Sequence, residues 1–360
     1  MEDLLRYIPS RAAILTVSPV VNQKFFERNP DLTEQICLEQ AAQVLGCPAS
    51  SILPTAIQGA SSFTVAKSSA CPGDSGIVQF RDLSSQLSRD TIALACRTYG
   101  DVVPNCDAVT CGLSDKAHVY LMTLAGGIAF SAAQRDLYQD DGAERLMVTV
   151  TNFASFVASS LSTMQQNTDD AALAQAYEKL TAWEATLPAR FQPKLAEVRA
   201  RLPIIFGREF PQVLNHADLV EMNIQVDDAS GGITGVIDWE NANYGAFGIA
   251  LASLEVLLGI CTGEGVWIWH PQQNRLRAVF YKTLCVELSH HHHPQAHHLE
   301  ADDVEAARLF GLFVMYGSWA AARADGHGAA PVAACLEAGL GEGTAAQPFL
   351  RQHLWPRALD

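Results

Sequence analysis

The chain has 360 residues, 49% of them hydrophobic and 18% charged, a balance that excludes a disordered protein and suits two lobes or domains rather than one small core. Its formal net charge of -15 argues against a nucleic-acid binder, which the phosphate backbone would repel; it is compatible with cationic small substrates, with metal–nucleotide complexes and with solubility alone. Nine scattered cysteines with no C-x-x-C pair, an amino terminus (MEDLLRYIPSRAA) lacking a signal-length apolar core, and no apolar run of roughly 18 residues point to reduced thiols in a cytoplasmic protein without a zinc site or a membrane span.

In chain order, the first predicted helix runs from Leu32 to Leu45, with Asp31 and Glu34 as a capping box and Gly46 as its stop. Residues 52–67 (ILPTAIQGASSFTVAK) and 76–81 (GIVQFR) read as strands joined by the turn-rich SSACPGDS. A helix over 87–100 closes at Gly100, and HVYLMTL (118–124) reads as a buried strand. Residues 1–124 therefore form a small sheet-based lobe with one or two helices.

From about residue 125 the pattern turns helical. Asp141 and Glu144 form a second capping box, and Leu146, Val150, Phe153, Val157 and Leu161 share one helical face. Helical patterns follow at 170–182, 187–202 and Phe247–Leu258, and a long apolar helix begins near Asp302 and ends near Gly326. The fold class is α+β, with residues 125–360 the larger, mainly helical lobe. His290–His293, His297 and His298 lie in an irregular Pro-containing stretch and read as a solvated loop rather than a metal site. Trp267 and Trp269 alternate in GVWIWH, as the wall of a cation pocket or, more simply, as half of a packed strand. Tyr316 and Trp319 read as core packing on the late helix.

The chemistry concentrates in VLNHADLVEMNIQVDDASGGITGVIDWE. Its spacing is H-x-D-x-x-x-x-N, a short hairpin, then I-D-W-E. Phosphoryl transfer needs a carboxylate near the attacking hydroxyl, plus a carboxamide and a second carboxylate to hold magnesium. Asp218 is the candidate catalytic base, and Asn223 and Asp238 the candidate magnesium ligands. His216 shapes the loop rather than moving a proton. IQV and ITGVID pair around the turn DDASGG, which returns Asp238 to the side of Asn223. Glu240 reads equally as an outer contact of the site or as a solvent-facing carboxylate.

HADLVEMNIQVDD…GVIDWENA resembles the H-G-D-x-x-x-x-N…IDWE signature of aminoglycoside phosphotransferase-like enzymes, a branch of the protein-kinase-like fold. IVQFR, YGDVVP, VYLM…GG and FPQVLNHADL make it most similar to the fungal members, over roughly residues 50–325. The resemblance implies a bilobal kinase-like fold with ATP in the interlobe cleft, Asp218 as the catalytic aspartate, and Asn223 and Asp238 as the Mg2+ ligands. It implies a hinge at VYLMTLAGG, where backbone groups near Thr123 to Ala125 receive adenine. It also implies a C-terminal pocket, usually acidic, for a small hydroxylated acceptor.

This sequence departs from the pattern in several places. Ala217 replaces the glycine of H-G-D, an added methyl that a negative φ tolerates. The phosphate-covering loop has a single glycine, Gly59, with Ser61 and Ser62 as possible donors. GIVQFR carries no lysine: Gln79 stands at the anchoring position and Arg81 shares its face, while Lys67 lies on the preceding strand and Asp90 is the nearest acid on the following helix. ANYGAFGIALASLE lacks the D-P-x-x-D-L-A aspartate that braces the catalytic loop. Two readings follow: an ATP- and magnesium-dependent small-molecule phosphotransferase, or a weak or inactive kinase-like nucleotide-binding regulator. The absence of an A-P-E-like segment after Asp238 disfavours a protein kinase.

Overall fold

Phe63, Val65, Val78, Phe80 and Val119 alternate along three adjacent strands and are all buried on one face of a sheet. That alternation builds the first layer of the structure, a computed structural model describing residues 2–11, 19–59, 61–68, 76–140, 142–165, 170–290, 299–317 and 329–353. The sheet is antiparallel, with five strands in the order β1 (Ile52–Pro54), β2 (Ser62–Lys67), β3 (Gly76–Arg81), β5 (His118–Thr123) and β4 (Cys106–Ala108). Two helices, α1 (Pro19–Arg28) and α2 (Glu34–Leu45), cover its apolar face with Phe25, Cys37 and Ala41. Gln79 and Arg81 alternate with Val78 and Phe80 and so lie on the other face.

The helix start and the first strand differ from expectation. Thr33, not Asp31, caps α2, its hydroxyl accepting from the Ile36 N–H at 3.3 Å. Gly46 ends the helix in the left-handed region at φ 61, as expected of a C-terminal glycine. The single predicted strand 52–67 is a hairpin, because the Gln58 side chain ties its turn shut. Its amide donates to Thr55 O at 2.9 Å and Thr64 O at 2.7 Å and accepts from Thr64 N at 2.7 Å. The predicted helix over 87–100 is α3 (Arg89–Tyr99), capped by the Ser88 hydroxyl and closed by Gly100. The short edge strand β4 was not expected; three residues centred on exposed Asp107 carry too little alternation to signal one.

The helical half packs around a second, larger core. The two-residue strand β6 (Ile128–Ala129) leads into α4 (Phe130–Tyr138), which precedes α5 (Glu144–Ser159), whose predicted face of Leu146, Val150, Phe153 and Val157 is buried. Asp141 lies outside the described residues; Asp140 Oδ2 accepts from the Arg145 N–H in the first turn of α5 at 3.0 Å. Glu144–Thr163 is long and apolar enough to cross a membrane, yet it packs within the core, with Phe153 5.6 Å from Phe280 of α9 (Gln273–His290). The helices predicted at 170–182 and 187–202 are α6 (Asp170–Thr186) and α7 (Gln192–Ile205). The one predicted at Phe247–Leu258 is a 3-10 segment, Ile249–Ser253, running into the short α8 (Leu254–Leu258). The late helix is α10 (Ala301–Leu312) continued by a π turn, Phe313–Gly317; Trp319, Gly326 and the histidines from 291 to 298 lie outside the described residues. Trp267 and Trp269 sit on a two-stranded ribbon, edge to face at 5.2 Å, with Trp269 packed on the core as the simpler reading expected.

Four buried charges lock this half together. Arg277 donates two hydrogen bonds to Glu255, at 2.9 and 2.6 Å, and Arg308 reaches the same carboxylate at 3.3 Å. Arg308 also pairs with Glu305 at 3.0 and 2.7 Å. Both arginines are fully buried. Removing one partner strands charge in a dry interior, which is more damaging than losing a surface pair. Glu255→Ala should therefore destabilise the protein by about 3–5 kcal/mol, read as a fall in the denaturant midpoint; a change near that of a surface ion pair would refute this role.

Candidate active site

Strand β7 (Gln212–Asn215) is buried along its length and leads into the loop 216–223. The hairpin β8 (Ile224–Val226) and β9 (Ile233–Val236) follows, with Ile224 opposite Val236. Closing it places Ile237 against Asn223, whose carbonyl accepts the Ile237 N–H at 2.9 Å. Strand β10 (Asn243–Ala246) then returns along β7, Asn243 opposite Asn215. The predicted hairpin is thus present and brings the two ends of the motif together.

His216 is 2% exposed and both of its ring nitrogens are engaged. Nε2 donates to Ile237 O at 2.8 Å, and Nδ1 accepts from the Asp218 N–H at 3.4 Å. That pair of contacts requires the neutral tautomer. Burial pushes the imidazole down to about 4, partly opposed by its two backbone hydrogen bonds. The ring also meets Trp239 edge to face at 4.6 Å. His216 is therefore a brace for the loop, as the sequence suggested.

Ala217 has φ 65, so the negative φ that would accommodate its methyl is not what the loop adopts. The left-handed conformation lifts Asp218 and carries a steric penalty that glycine would not. The Asn223 Nδ2 donates to Asp218 O at 2.8 Å and to Asp218 Oδ2 at 3.3 Å. Asp238 is left-handed too, at φ 68 and ψ 59, and its side chain is 40% exposed. Burial first, and then the Asp238 charge, raise the Asp218 carboxyl above its ordinary range, with the Asn223 hydrogen bond pulling the other way. Asp218, Asn223 and Asp238 thus form one cluster.

The bracing aspartate absent from the sequence is replaced by packing. Trp239 is buried, donates to Val236 O at 2.8 Å and lies 5.1 Å from Tyr99 of α3. Tyr99 stacks on Phe156 at 4.3 Å, and its hydroxyl donates to Leu214 O on β7.

Arg81 reaches this cluster from the sheet. Its guanidinium pairs with Glu240 and lies 3.6 Å from Asp238 Oδ1. The same group donates to Gln79 Oε1 at 3.0 Å and to Ser61 Oγ at 3.4 Å. Glu240 is thus neither idle nor simply solvent-facing; Asp90, by contrast, is exposed at the start of α3. Gly59 and Ser61 lie at the β1–β2 turn, and Ser62 opens β2 with its hydroxyl beside Gly59. Thr123 ends β5; its N–H donates to Asn105 O at 3.1 Å and its hydroxyl accepts from the Asn105 N–H at 3.0 Å. Gly235 of β9 approaches the Ala125 methyl so closely that a side chain at 235 would collide with it.

The donor set fits magnesium. It offers hard oxygens, one on an open carboxylate and one on a carboxamide whose nitrogen is already held by Asp218. Among the described residues no three His, Cys, Asp or Glu side chains gather as metal ligands; magnesium commonly takes one or two carboxylates and completes its shell with phosphate and water. A cavity of about 80 Å³ borders the loop, lined by Ala217, Leu219, Tyr244, Phe310, Met315 and Lys179 among others. Lys179 is the one charged residue of its lining, so this cavity is not the acidic pocket that the resemblance implies.

Residues 79–256 match the family model described as the phosphotransferase enzyme family. Over this span the chain resembles that family. Solved structures agree on the fold. A Ralstonia eutropha protein assigned to the aminoglycoside phosphotransferases superposes with a TM-score of 0.52 at 11% identity, over 84% of this chain and 92% of that one. Plasmodium vivax ethanolamine kinase gives 0.52 at 11% identity, over 90% and 97%. The choline kinase of Cryptosporidium parvum gives 0.50 at 12%, over 89% and 96%. Comparison with curated proteins returned no match. The α+β, protein-kinase-like architecture is thereby established, and the motif residues 216–238 fall inside the phosphotransferase span.

Three contributors had no role assigned from the sequence. Glu240 was ambiguous because its partner lies 159 residues away. The braces Tyr99 and Trp239 carry no spacing signal, although a tryptophan inside I-D-W-E hinted at local packing.

Two measurements test this geometry. Above pH 6.5 His216 is neutral in both folded and unfolded chains; between 6.5 and about 4 only the unfolded chain takes up its proton, so its contribution falls with pH across that window. Urea melts at pH 7 and pH 4.5 should show His216→Gln losing less stability on acidification than the wild type. Ala217→Gly should raise stability by about 0.5–1 kcal/mol by relieving the left-handed methyl, and an unchanged or lower melting temperature would contradict that strain.

Proposed function

We propose that this protein is an ATP- and magnesium-dependent phosphotransferase acting on a hydroxyl of a small metabolite. The observation that carries this reading is the convergence of Asp218, Asn223 and Asp238 on one loop and hairpin, with two carboxylates close enough for one charge to perturb the other. In this reading Asp218 receives the acceptor hydroxyl as a hydrogen bond, orients it and takes its proton as the oxygen attacks the terminal phosphoryl group. Asn223 keeps the Asp218 carboxylate in place from one side and, with Asp238, would hold magnesium from the other. Magnesium, when bound, supplies charge neutralisation to the donor phosphates. His216 and Trp239 keep the loop in register while contributing no proton chemistry. The turn carrying Gly59, Ser61 and Ser62 would cover the phosphates, and backbone groups of Leu124 and Ala125 would receive the base.

A second reading has its own support. Gln79 is neutral where a lysine would anchor phosphates, which favours a kinase-like nucleotide-binding regulator of low activity. The two readings separate by experiment. Asp218→Asn should lower turnover by about 10²–10⁴-fold while leaving Mg–ATP binding intact, and Asp238→Asn should weaken binding only when magnesium is present. Screening ATP consumption against amino alcohols, aminoglycosides and uncharged polyols supplies the acceptor. Because the Asp218 carboxyl is raised, turnover should fail on acidification at a higher pH than an ordinary aspartate would give. A wild type that binds Mg–ATP and consumes none with any acceptor would favour the regulator.

A further inference from the structure

Asn215 ends strand β7, immediately before the loop of the candidate site, and leaves a buried hydrogen-bond acceptor unused. It is 2% exposed. Its Nδ2 donates to Val213 O at 3.2 Å, whereas its Oδ1 is buried with no partner among the described residues. A buried carbonyl oxygen without a donor costs free energy until one arrives. Asn215 lines the cavity of about 80 Å³ that borders the loop. We propose that this cavity is a second binding site, separate from the candidate active site. Its ligand is a short hydroxy carboxylate, an apolar chain with a hydroxyl at its buried end and a carboxylate at the mouth.

The lining sets that chemistry. Its walls are apolar: Ala176 of α6, Phe206, Leu219 and Phe310 of α10 are all buried. Of the buried polar side chains, His216 has both ring nitrogens engaged and nothing left to offer. Ser253 spends its hydroxyl on the Met315 sulfur at 3.7 Å, a weak acceptor. The buried polar groups are therefore one free acceptor and one underused hydroxyl. A ligand hydroxyl suits both, because it donates and accepts. An ammonium does not: no Asp or Glu lines the cavity, so its charge would be buried unpaired.

Three lining residues, Gln175, Lys179 and Asn243, are exposed and mark the mouth. Lys179 is the one charge among the lining residues and attracts an anionic group that keeps most of its hydration there. Size limits the chain. One water-sized group takes roughly 10–15 Å³, so the cavity admits roughly five to eight of them, enough for a hydroxyl and about five carbons. Water alone would set most of those groups against hydrocarbon walls.

Asp218, Asn223 and Asp238 do not line the cavity, whereas His216 and Ala217 do. An occupant therefore packs against the left-handed turn and its brace without meeting the carboxylates. That makes it an effector of the loop rather than an acceptor of phosphate, and the site stands whether or not the phosphotransferase reading does.

Calorimetric titration with 6-hydroxyhexanoate, hexanoate and 6-aminohexanoate tests the site. The hydroxy acid should bind, hexanoate about 5–10-fold more weakly for want of one hydrogen bond, and the amine not measurably. Asn215→Leu should erase the preference for the hydroxy acid over hexanoate. Lys179→Gln, at an exposed position, should weaken both by about 2–5-fold. Ala176→Leu fills the cavity and should abolish binding, and Asp218→Asn should bind the hydroxy acid like the wild type. Melting temperatures, which 6-hydroxyhexanoate should raise in the wild type, check that each variant folds. A wild type that does not bind the hydroxy acid would leave a cavity filled by water and overturn the proposal. Equal affinity for all three compounds, undiminished binding to a folded Ala176→Leu protein, or phosphorylation of 6-hydroxyhexanoate with binding lost in Asp218→Asn would overturn it too. A wild type that binds the hydroxy acid but no Mg–ATP would uphold the site and remove the phosphotransferase reading alone.

Discussion

The peptide unit of Ile237 is gripped from both sides, and the arrangement of the candidate site depends on that grip. Its N–H is taken by the carbonyl of Asn223 and its C=O by the ring of His216. One bond fixes the end of the hairpin to the end of the loop; the other fixes it to the loop's beginning. Asp238, the next residue, has little freedom left in where it sits. The imidazole can perform this role only while neutral, because the charged form has no acceptor for the Asp218 N–H. Burial keeps it neutral, so the hydrophobic packing of Trp239 and its neighbours is part of the electrostatics of the site.

The site is assembled against local preference. Ala217 and Asp238 both adopt left-handed backbone, and Asp218 is held half-buried beside a like charge. Each feature opposes folding, and each is explained if the site is completed by a cation and a ligand. The surrounding structure supplies the compensation. Strand β7 is buried throughout, Tyr99 ties helix α3 to Leu214, and the aromatic group of Tyr99, Phe156 and Trp239 fills the space beneath the loop.

Much of this was legible in the chain. H-x-D-x-x-x-x-N, a turn of small and polar residues and I-D-W-E announce a hairpin whose ends meet, because strand pairing converts sequence separation into adjacency by a fixed geometry. Helical periodicity likewise gave α5 and its buried face. Features decided by tertiary contact were not legible. The capping role of Thr33 depends on where the chain enters α2, the split of residues 52–67 depends on the Gln58 amide, and β4 exists only as an edge to β5. The sign of φ at Ala217 could not be read from its side chain. The partner of Glu240 was out of reach because no local rule connects residues on opposite halves of the fold.

The two groups of buried ions in this molecule show why one reads as structure and the other as function. Around Glu255, two arginines and a second glutamate close on one another, with no member more than a few per cent exposed. The charges balance, two against two, and every member of the group is buried. Around Arg81 the positive charge is equally buried, but its acidic partners are not: Glu240 is 25% and Asp238 40% exposed. A buried cation whose counter-charges face solvent leaves an open electrostatic edge, and desolvated donors at such an edge interact more strongly with an incoming anion than exposed ones do. Burial alone therefore does not distinguish a scaffold from a site in this fold; the exposure of the partners does.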